Sequence, residues 1–221
     1  MHYQEIDQCI KDIKNRYGIE GGFSEFMGGS YRPDATALAI LILSVTGADK
    51  DFIEAARSSL THHQLDDGRV SMPGQPGAFW PTSLAIIAWQ GSISFKPAQN
   101  RAIQFLLKTS GKHFRKKADA PVAHDTSLRG WPWVENTHSF TEPTALAILA
   151  LDITGQARLS RVEEGIRMLM DRQLPHGGWN YGNTKVYGKE LYPFIDTTGV
   201  ALASLSRQVA KQDVELSIKF L

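Results

Sequence analysis

The stretch TALAILALDITG (144–155) decides how this chain is read, because TALAILILSVTG (36–47) matches it at nine of twelve positions, 108 residues earlier. Two weaker copies, PTSLAIIAWQG (81–91) and TTGVALASLS (197–206), place a further Thr at the corresponding point. Aligned on Thr36, Thr82, Thr144 and Thr198, successive copies lie 46, 62 and 54 residues apart. Four such copies in one short chain are not coincidence, and an internal repeat governs the fold. Each copy reads as one helix. It is apolar on nearly every face, with Ala at every second or third position, so it is expected to be buried against closely approaching neighbours. Gly47, Gly91 and Gly155 follow the last periodic residue as C-terminal stops. Pro81 and Pro143 suit a first turn, and Asp34, Glu142 and Asp196 stand where an N-cap side chain accepts orphan backbone N–H groups.

A second helix precedes each glycine-rich turn. EGIRMLMDRQLPHGGW (164–179) sets out Gly165, Leu169, Gln173, Gly177 and Trp179 in order. AARSSLTHHQLDDGRV (55–70) repeats Leu60, Gln64 and Gly68, with Val70 in the Trp position. IKDIKNRYGIEGGF (10–23) has Tyr17 in the Gln place, then Gly21 and Phe23. RAIQFLLKTS (101–110) opens the same pattern, which RGWPW (129–133) resumes after an insert. The repeating unit is therefore an outer helix, a Gly-aromatic turn, an extended loop and an inner helix.

This pattern resembles the QW repeats of squalene–hopene and oxidosqualene cyclases, and the related repeats of protein prenyltransferase β subunits. The segment 164–179 matches Gly-x3-Leu-x3-Gln-x3-Gly-x-Trp in full, and the likeness runs from about residue 5 to residue 221. The resemblance implies an all-α fold, an α/α toroid whose inner and outer rings of helices surround an apolar cavity. A closed toroid of this type implies about six helix pairs, and about four are legible here. VELSIKFL (214–221) reads as the opening of a fifth outer helix, since SIKFL parallels AIQFL (102–106). The expectation is one repeat domain over 1–221, continuing past the C-terminus or closed by another chain, with self-association through the open edge.

Composition narrows the function classes. A net charge of +1 gives no global pull towards nucleic acid or anionic membrane. The single cysteine, Cys9, excludes an intramolecular disulfide. The N-terminus MHYQEIDQCIKDIK has no apolar signal core, and the longest apolar runs, such as ALAILIL (37–43), are too short to span a bilayer. The expectation is a soluble cytoplasmic protein with no nucleic-acid partner.

The resemblance also directs attention to LYPFIDTTGVALASL (191–205). In the class II cyclases an Asp-x-Asp-Asp-Thr-Ala stretch opens an inner helix, and its middle Asp protonates an alkene or epoxide. Asp196 matches that Asp, while Phe194 and Thr197 replace its neighbours. Against the role, a helix terminus stabilises the carboxylate anion, and Asp34 and Glu142 hold the same place in other copies. Cap and catalytic acid both remain open. Prenyltransferases hold zinc with an Asp-x-Cys pair and a distant His, but Thr198 stands where that Cys belongs, so no metal and no cofactor is implied. His62, His63, Asp66 and Asp67 straddle the repeat's Gln64 and read as a solvated helix end. No DDxxD run or P-loop is present.

Aromatic residues are the better clue. Trp80, Trp133, Trp179, Tyr181 and Phe194 lie between outer and inner helices, either as packing anchors or as walls of an isoprenoid site. A desolvated π-face stabilises a cation by about 2 kcal/mol. WVENTHSFTEP (133–143) brings Glu135, His138 and Glu142 together, as a proton-moving His–Glu pair or as a cap with a loop hydrogen bond. The insert 110–130 carries Lys112, His113, Arg115, Lys116 and Lys117 around Phe114. It is either a solvated loop or a contact for a phospholipid surface or a diphosphate group. The partner expected is an isoprenoid or other apolar small molecule, with peripheral membrane contact. The protein would bind it and cyclise or transfer it, or serve as a non-catalytic lipid-binding or protein-interaction scaffold.

Overall fold

Each Thr-bearing segment is a helix with its small residues turned inward. In the computed structural model, which describes residues 2–19, 21–47, 50–117 and 120–221, the helices run in order: α1 (His2–Lys14), α2 (Pro33–Val45), α3 (Lys50–His62), α4 (Pro81–Ala88), α5 (Lys96–Lys108), α6 (Thr141–Ile153), α7 (Ser160–Asp171), α8 (Ile195–Leu205) and α9 (Glu215–Phe220). A 3-10 turn, Lys211–Val214, leads into α9. The fold is thus mostly helical. A two-residue hairpin, β1 (Lys185–Val186) against β2 (Lys189–Glu190), lies in the loop before α8. The chain divides into two compact units, 1–105 and 106–221. In the first, α2 packs on α3 and α4; in the second, α6 packs on α7 and α8.

The conserved-looking position of the four copies is a hydrogen-bonding clamp. Backbone N–H groups of Phe23, Val70, Trp131 and Trp179 donate to the hydroxyls of Thr36, Thr82, Thr144 and Thr198 at 2.8, 3.0, 2.9 and 2.9 Å. Each hydroxyl faces the carbonyl of the same residue as a donor, at 3.2–3.4 Å. All four Thr residues are fully buried. A buried amide without a partner costs about 1–3 kcal/mol, so one hydroxyl fixes where each Gly-aromatic turn sits on its helix.

The outer helices follow the other half of the pattern. Gln64 Nε2 donates to the carbonyls of Gly68 and Ala98, and Gln173 Nε2 donates to Ser217 Oγ. Gly68 and Gly177 have φ of 95° and 93°, which favours glycine. Their backbones also press on the next outer helix: a Cβ on Gly68 would strike the Arg101 carbonyl, and one on Gly177 would lie 2.5 Å from the carbonyl carbon of Leu216. Arg101 in α5 and Leu216 in α9 therefore occupy like positions, as the parallel of AIQFL with SIKFL anticipates. The rings of Trp131 and Trp179 are wholly enclosed, each indole N–H donating to a carbonyl of the preceding outer helix, Leu106 at 2.9 Å and Leu169 at 2.7 Å.

One expectation needs correction. Asp34, Glu142 and Asp196 are not N-caps: their helices begin after Arg32, Phe140 and Phe194, no cap side chain makes a hydrogen bond, and each acid takes the second helical position. Asp34 pairs instead with Arg32, at 2.9 and 2.6 Å. The insert keeps its basic stretch, 112–117, exposed and is anchored by hydrogen bonds. Phe114 and Thr126 close it on themselves, Asp125 N–H donates to Asp171 Oδ2 at the end of α7, and Tyr187 N–H of the hairpin donates to the Pro121 carbonyl at 2.7 Å. At the end of α3, His62 and His63 each turn back to a carbonyl of the helix through Nδ1, Ser58 and Ser59 at 2.8 Å, and His62, Asp66 and Asp67 are exposed. Among the described residues, no helix is long and apolar enough to cross a membrane.

Candidate active site at the start of helices α6 and α8

Because α6 and α8 pack side by side, their second residues bring two carboxylates into each other's field. Glu142 is half-buried, and its pKa is raised, first by burial and then by the charge of Asp196. Burial removes water from the anion, and a neighbouring negative charge opposes ionisation further. Asp196 is exposed, and its Oδ1 accepts a 2.7 Å hydrogen bond from the Thr197 amide. Of the two acids, Glu142 is the one whose surroundings favour the protonated form.

Aromatic surface stands beside Asp196. The Tyr181 and Phe194 rings are 5.0 Å apart and tilted at 50°. With Pro193, Ile195 and Phe220 they line an open apolar depression that includes Asp196. Tyr181, Phe194 and Ile195 are 55%, 42% and 72% exposed, so their faces are available to a ligand.

The remaining expected residues are elsewhere. Trp179 has no exposed surface and acts as a packing anchor. Trp80 and Trp133 are half-buried; Trp80 belongs to the first unit, at the start of α4, and Trp133 to the loop before α6. Among the described residues, His138 makes no hydrogen bond or ion pair with Glu142. A bridge to Lys112 of the insert turns it away, and its ring meets Phe114 edge-on at 5.2 Å.

His138 lines instead a second cavity of the same unit, about 190 Å³ in volume, together with Arg172 and His124. Sequence reading missed both residues. Arg172 runs back across the turn, its Nη1 donating to the Gly182 carbonyl at 2.6 Å. The first unit uses the same device, with Arg16 Nη1 reaching the Glu25 carbonyl at 2.9 Å. A basic residue directly before Tyr17 and before Gln173 was the available signal. No group of three or more His, Cys, Asp or Glu placed to hold a metal occurs among the described residues.

Solved structures superpose on nearly the whole chain. Apo type II terpene cyclase MstE from Scytonema matches 97% of it with a TM-score of 0.64 and 16% identity. The chain has a terpene cyclase-like fold. A variant of MstE in complex with its substrate, geranylgeranyl dihydroxybenzoate, matches 98% of the chain with a TM-score of 0.66, also at 16% identity. A protein from Actinoplanes matches 98% with a TM-score of 0.62 and 16% identity. The terpene cyclase-like chain spans 60%, 61% and 64% of the lengths of these three proteins. At such identity the likeness is one of fold. No protein-family model and no curated protein sequence matches the chain.

Proposed function

We propose that the chain forms part of an α/α toroid of QW-type repeats that binds an isoprenoid chain and cyclises it by protonation, with Glu142 as the acid. The observation that carries this reading is a half-buried Glu142 of raised pKa in the field of Asp196, which lines a depression of exposed aromatic faces. Sequence alone favoured Asp196 for the acid. The half-burial and raised pKa of Glu142 favour it for that role in this reading. In the proposed step the Glu142 O–H proton passes to one carbon of an alkene, whose π electrons form the new C–H bond and leave a carbocation on the other. A second alkene of the chain attacks that cation and closes a ring. Loss of a proton from the final cation restores the balance, so the product is an isomer of the substrate. Tyr181 and Phe194 offer their π-faces to the cations, each worth about 2 kcal/mol when desolvated, and the Asp196 carboxylate adds a fixed negative charge. Trp80 and Trp133 are further candidates for the walls. The prenylated substrate bound by the MstE variant supports the substrate class, and contact with a membrane surface would suit so apolar a compound.

The competing reading is a scaffold that binds an apolar molecule without chemistry. A panel of linear polyprenyl substrates, with separate binding and product assays, distinguishes the two. Glu142→Gln is expected to keep binding and lower turnover by about 10²–10⁴-fold, the usual range for a lost general acid. Asp196→Asn should reduce turnover less and move the pH profile of kcat to lower pH, because it removes one cause of the raised Glu142 pKa. Binding by the wild-type chain without turnover would favour the scaffold; full activity in Glu142→Gln would remove it from the acid role.

A further inference from the structure

The insert, the loop before α6, the end of α7 and the loop after Trp179 enclose the second cavity. Its polar equipment is unusual. Arg172 and His124 line it and are only 6% and 7% exposed. Arg172 uses Nη1 on the Gly182 carbonyl and Nε on Asp171 at 3.4 Å, and Nη2 has no partner among the described residues. Neither ring nitrogen of His124 has one either, and its Nδ1 is completely buried. The Thr141 hydroxyl close by is also buried without a partner. Lys112 stands among the more exposed lining residues, and no Asp or Glu contributes to the lining.

Buried donors without partners cost about 1–3 kcal/mol each, more when charged. A guanidinium with an unused edge facing a cavity without carboxylates presents the geometry that accepts an oxyanion. Phe114, Phe140 and Leu128 supply apolar wall. The volume, about 190 Å³, is below the roughly 300–1,000 Å³ of pockets that enclose whole drug-sized ligands, so the cavity takes a headgroup.

We infer that this cavity is a binding site for a small oxyanion headgroup, a phosphate or a carboxylate, received by Arg172, His124 and Lys112. The site shares only Tyr181 with the depression beside Asp196 and needs none of the proposed acid chemistry. His124 responds to occupancy. Its pKa is pushed down to about 4, chiefly by burial and then by the charges of Arg172 and Lys116, with a smaller contribution from His138. Asp125 acts in the opposite sense on it, and Asp171 engages Arg172 rather than the ring. A bound anion offsets the two cations and offers the ring a hydrogen-bond acceptor, so the His124 pKa rises and binding takes up a proton. Affinity therefore increases as pH falls from about 7.5 to about 5.5, through the range below the ordinary histidine value.

The experiment is calorimetric titration of the whole chain with inorganic phosphate and, separately, benzoate, at the two pH values, with the His124 ring signals followed by NMR. Saturable one-to-one binding that shifts the His124 resonances is expected, with the tightening at the lower pH read from benzoate, whose charge is constant over this range whereas phosphate itself takes up a proton. Arg172→Gln should weaken it by roughly 10- to 100-fold, the worth of a charge-assisted bond. Because Arg172 also holds the Gly182 loop, His124→Gln provides the second variant; it should bind at neutral pH yet lose the pH dependence. Phosphate binding alone assigns a phosphorylated headgroup, and benzoate binding alone a carboxylated one. No saturable binding of either probe, or affinity unchanged by both substitutions, overturns the inference.

Discussion

Thr144→Val tests the clamp on which the repeat is built. Valine has the shape of threonine, so the change leaves the apolar contacts of α6 in place and removes only the hydroxyl. The lost partners are the Trp131 amide, at 2.9 Å, and the weaker return bond to the Trp131 carbonyl, at 3.4 Å. Thr144 is 0% exposed and Trp131 2% exposed, so water cannot replace the hydroxyl without the turn opening. An orphaned buried amide costs about 1–3 kcal/mol. For a chain of this size each kcal/mol is worth about 2–4 °C, which gives a fall in melting temperature of roughly 2–12 °C. Thr61→Val is the control, because the Thr61 hydroxyl reaches only the Arg57 carbonyl within its own helix, and a change within about 0.5 kcal/mol is expected there. Circular-dichroism melts supply the stability, and amide hydrogen exchange at Trp131 supplies the local reading. If Thr144→Val melts with the control and Trp131 keeps its wild-type protection, the clamp does not hold the turn.

Other outcomes follow from the same packing. Gly165→Ala places a Cβ 2.6 Å from the Trp131 ring, so overpacking of about 1–3 kcal/mol should exceed the gain of about 1 kcal/mol in helix propensity; a raised melting temperature would contradict this. Arg161 lies 3.6 Å above the Trp131 ring and donates to the carbonyls of Thr109, Gly130 and Arg129. Lysine cannot reproduce that planar fork, and chemical denaturation of Arg161→Lys should show a loss of about 1–3 kcal/mol. Glu142 binds its proton more tightly folded than unfolded, so ionising it destabilises the fold as pH rises from the ordinary carboxylate range through its raised pKa. Glu142→Gln should accordingly be the more stable protein near neutral pH, with the advantage vanishing in acid; an advantage confined to acid would reverse the sign of the account.

The helices, their pairing and the Gly-aromatic turns were legible because each is a matter of local periodicity and of residues at fixed spacing. The Thr residues served to align the copies, yet their task as clamps was not legible, since it depends on a backbone amide 12 to 19 residues away. The same limit explains the misread acids. Asp34, Glu142 and Asp196 stand two residues too far in to cap, because Arg32, Phe140 and Phe194 already carry the extended backbone that precedes each helix. His138 is near Glu142 in sequence but is drawn off by the insert, whose path is set by Asp171 and the hairpin. The hairpin itself turns through Tyr187 and Gly188, both at positive φ, and a Tyr-Gly pair gives little warning of that. The cavity around Arg172 and His124 required three separate loops to converge.

Proton donation by Glu142 is most directly tested by turnover in heavy water with a linear polyprenyl substrate, the product being analysed by mass spectrometry and NMR. A carboxyl that has exchanged with solvent delivers deuterium, and the account predicts a cyclised product carrying a single non-exchangeable deuterium at the carbon first protonated, formed by the wild-type chain and not by Glu142→Gln. Substrate recovered unchanged, a product free of deuterium, or equal incorporation by the Glu142→Gln chain would contradict it.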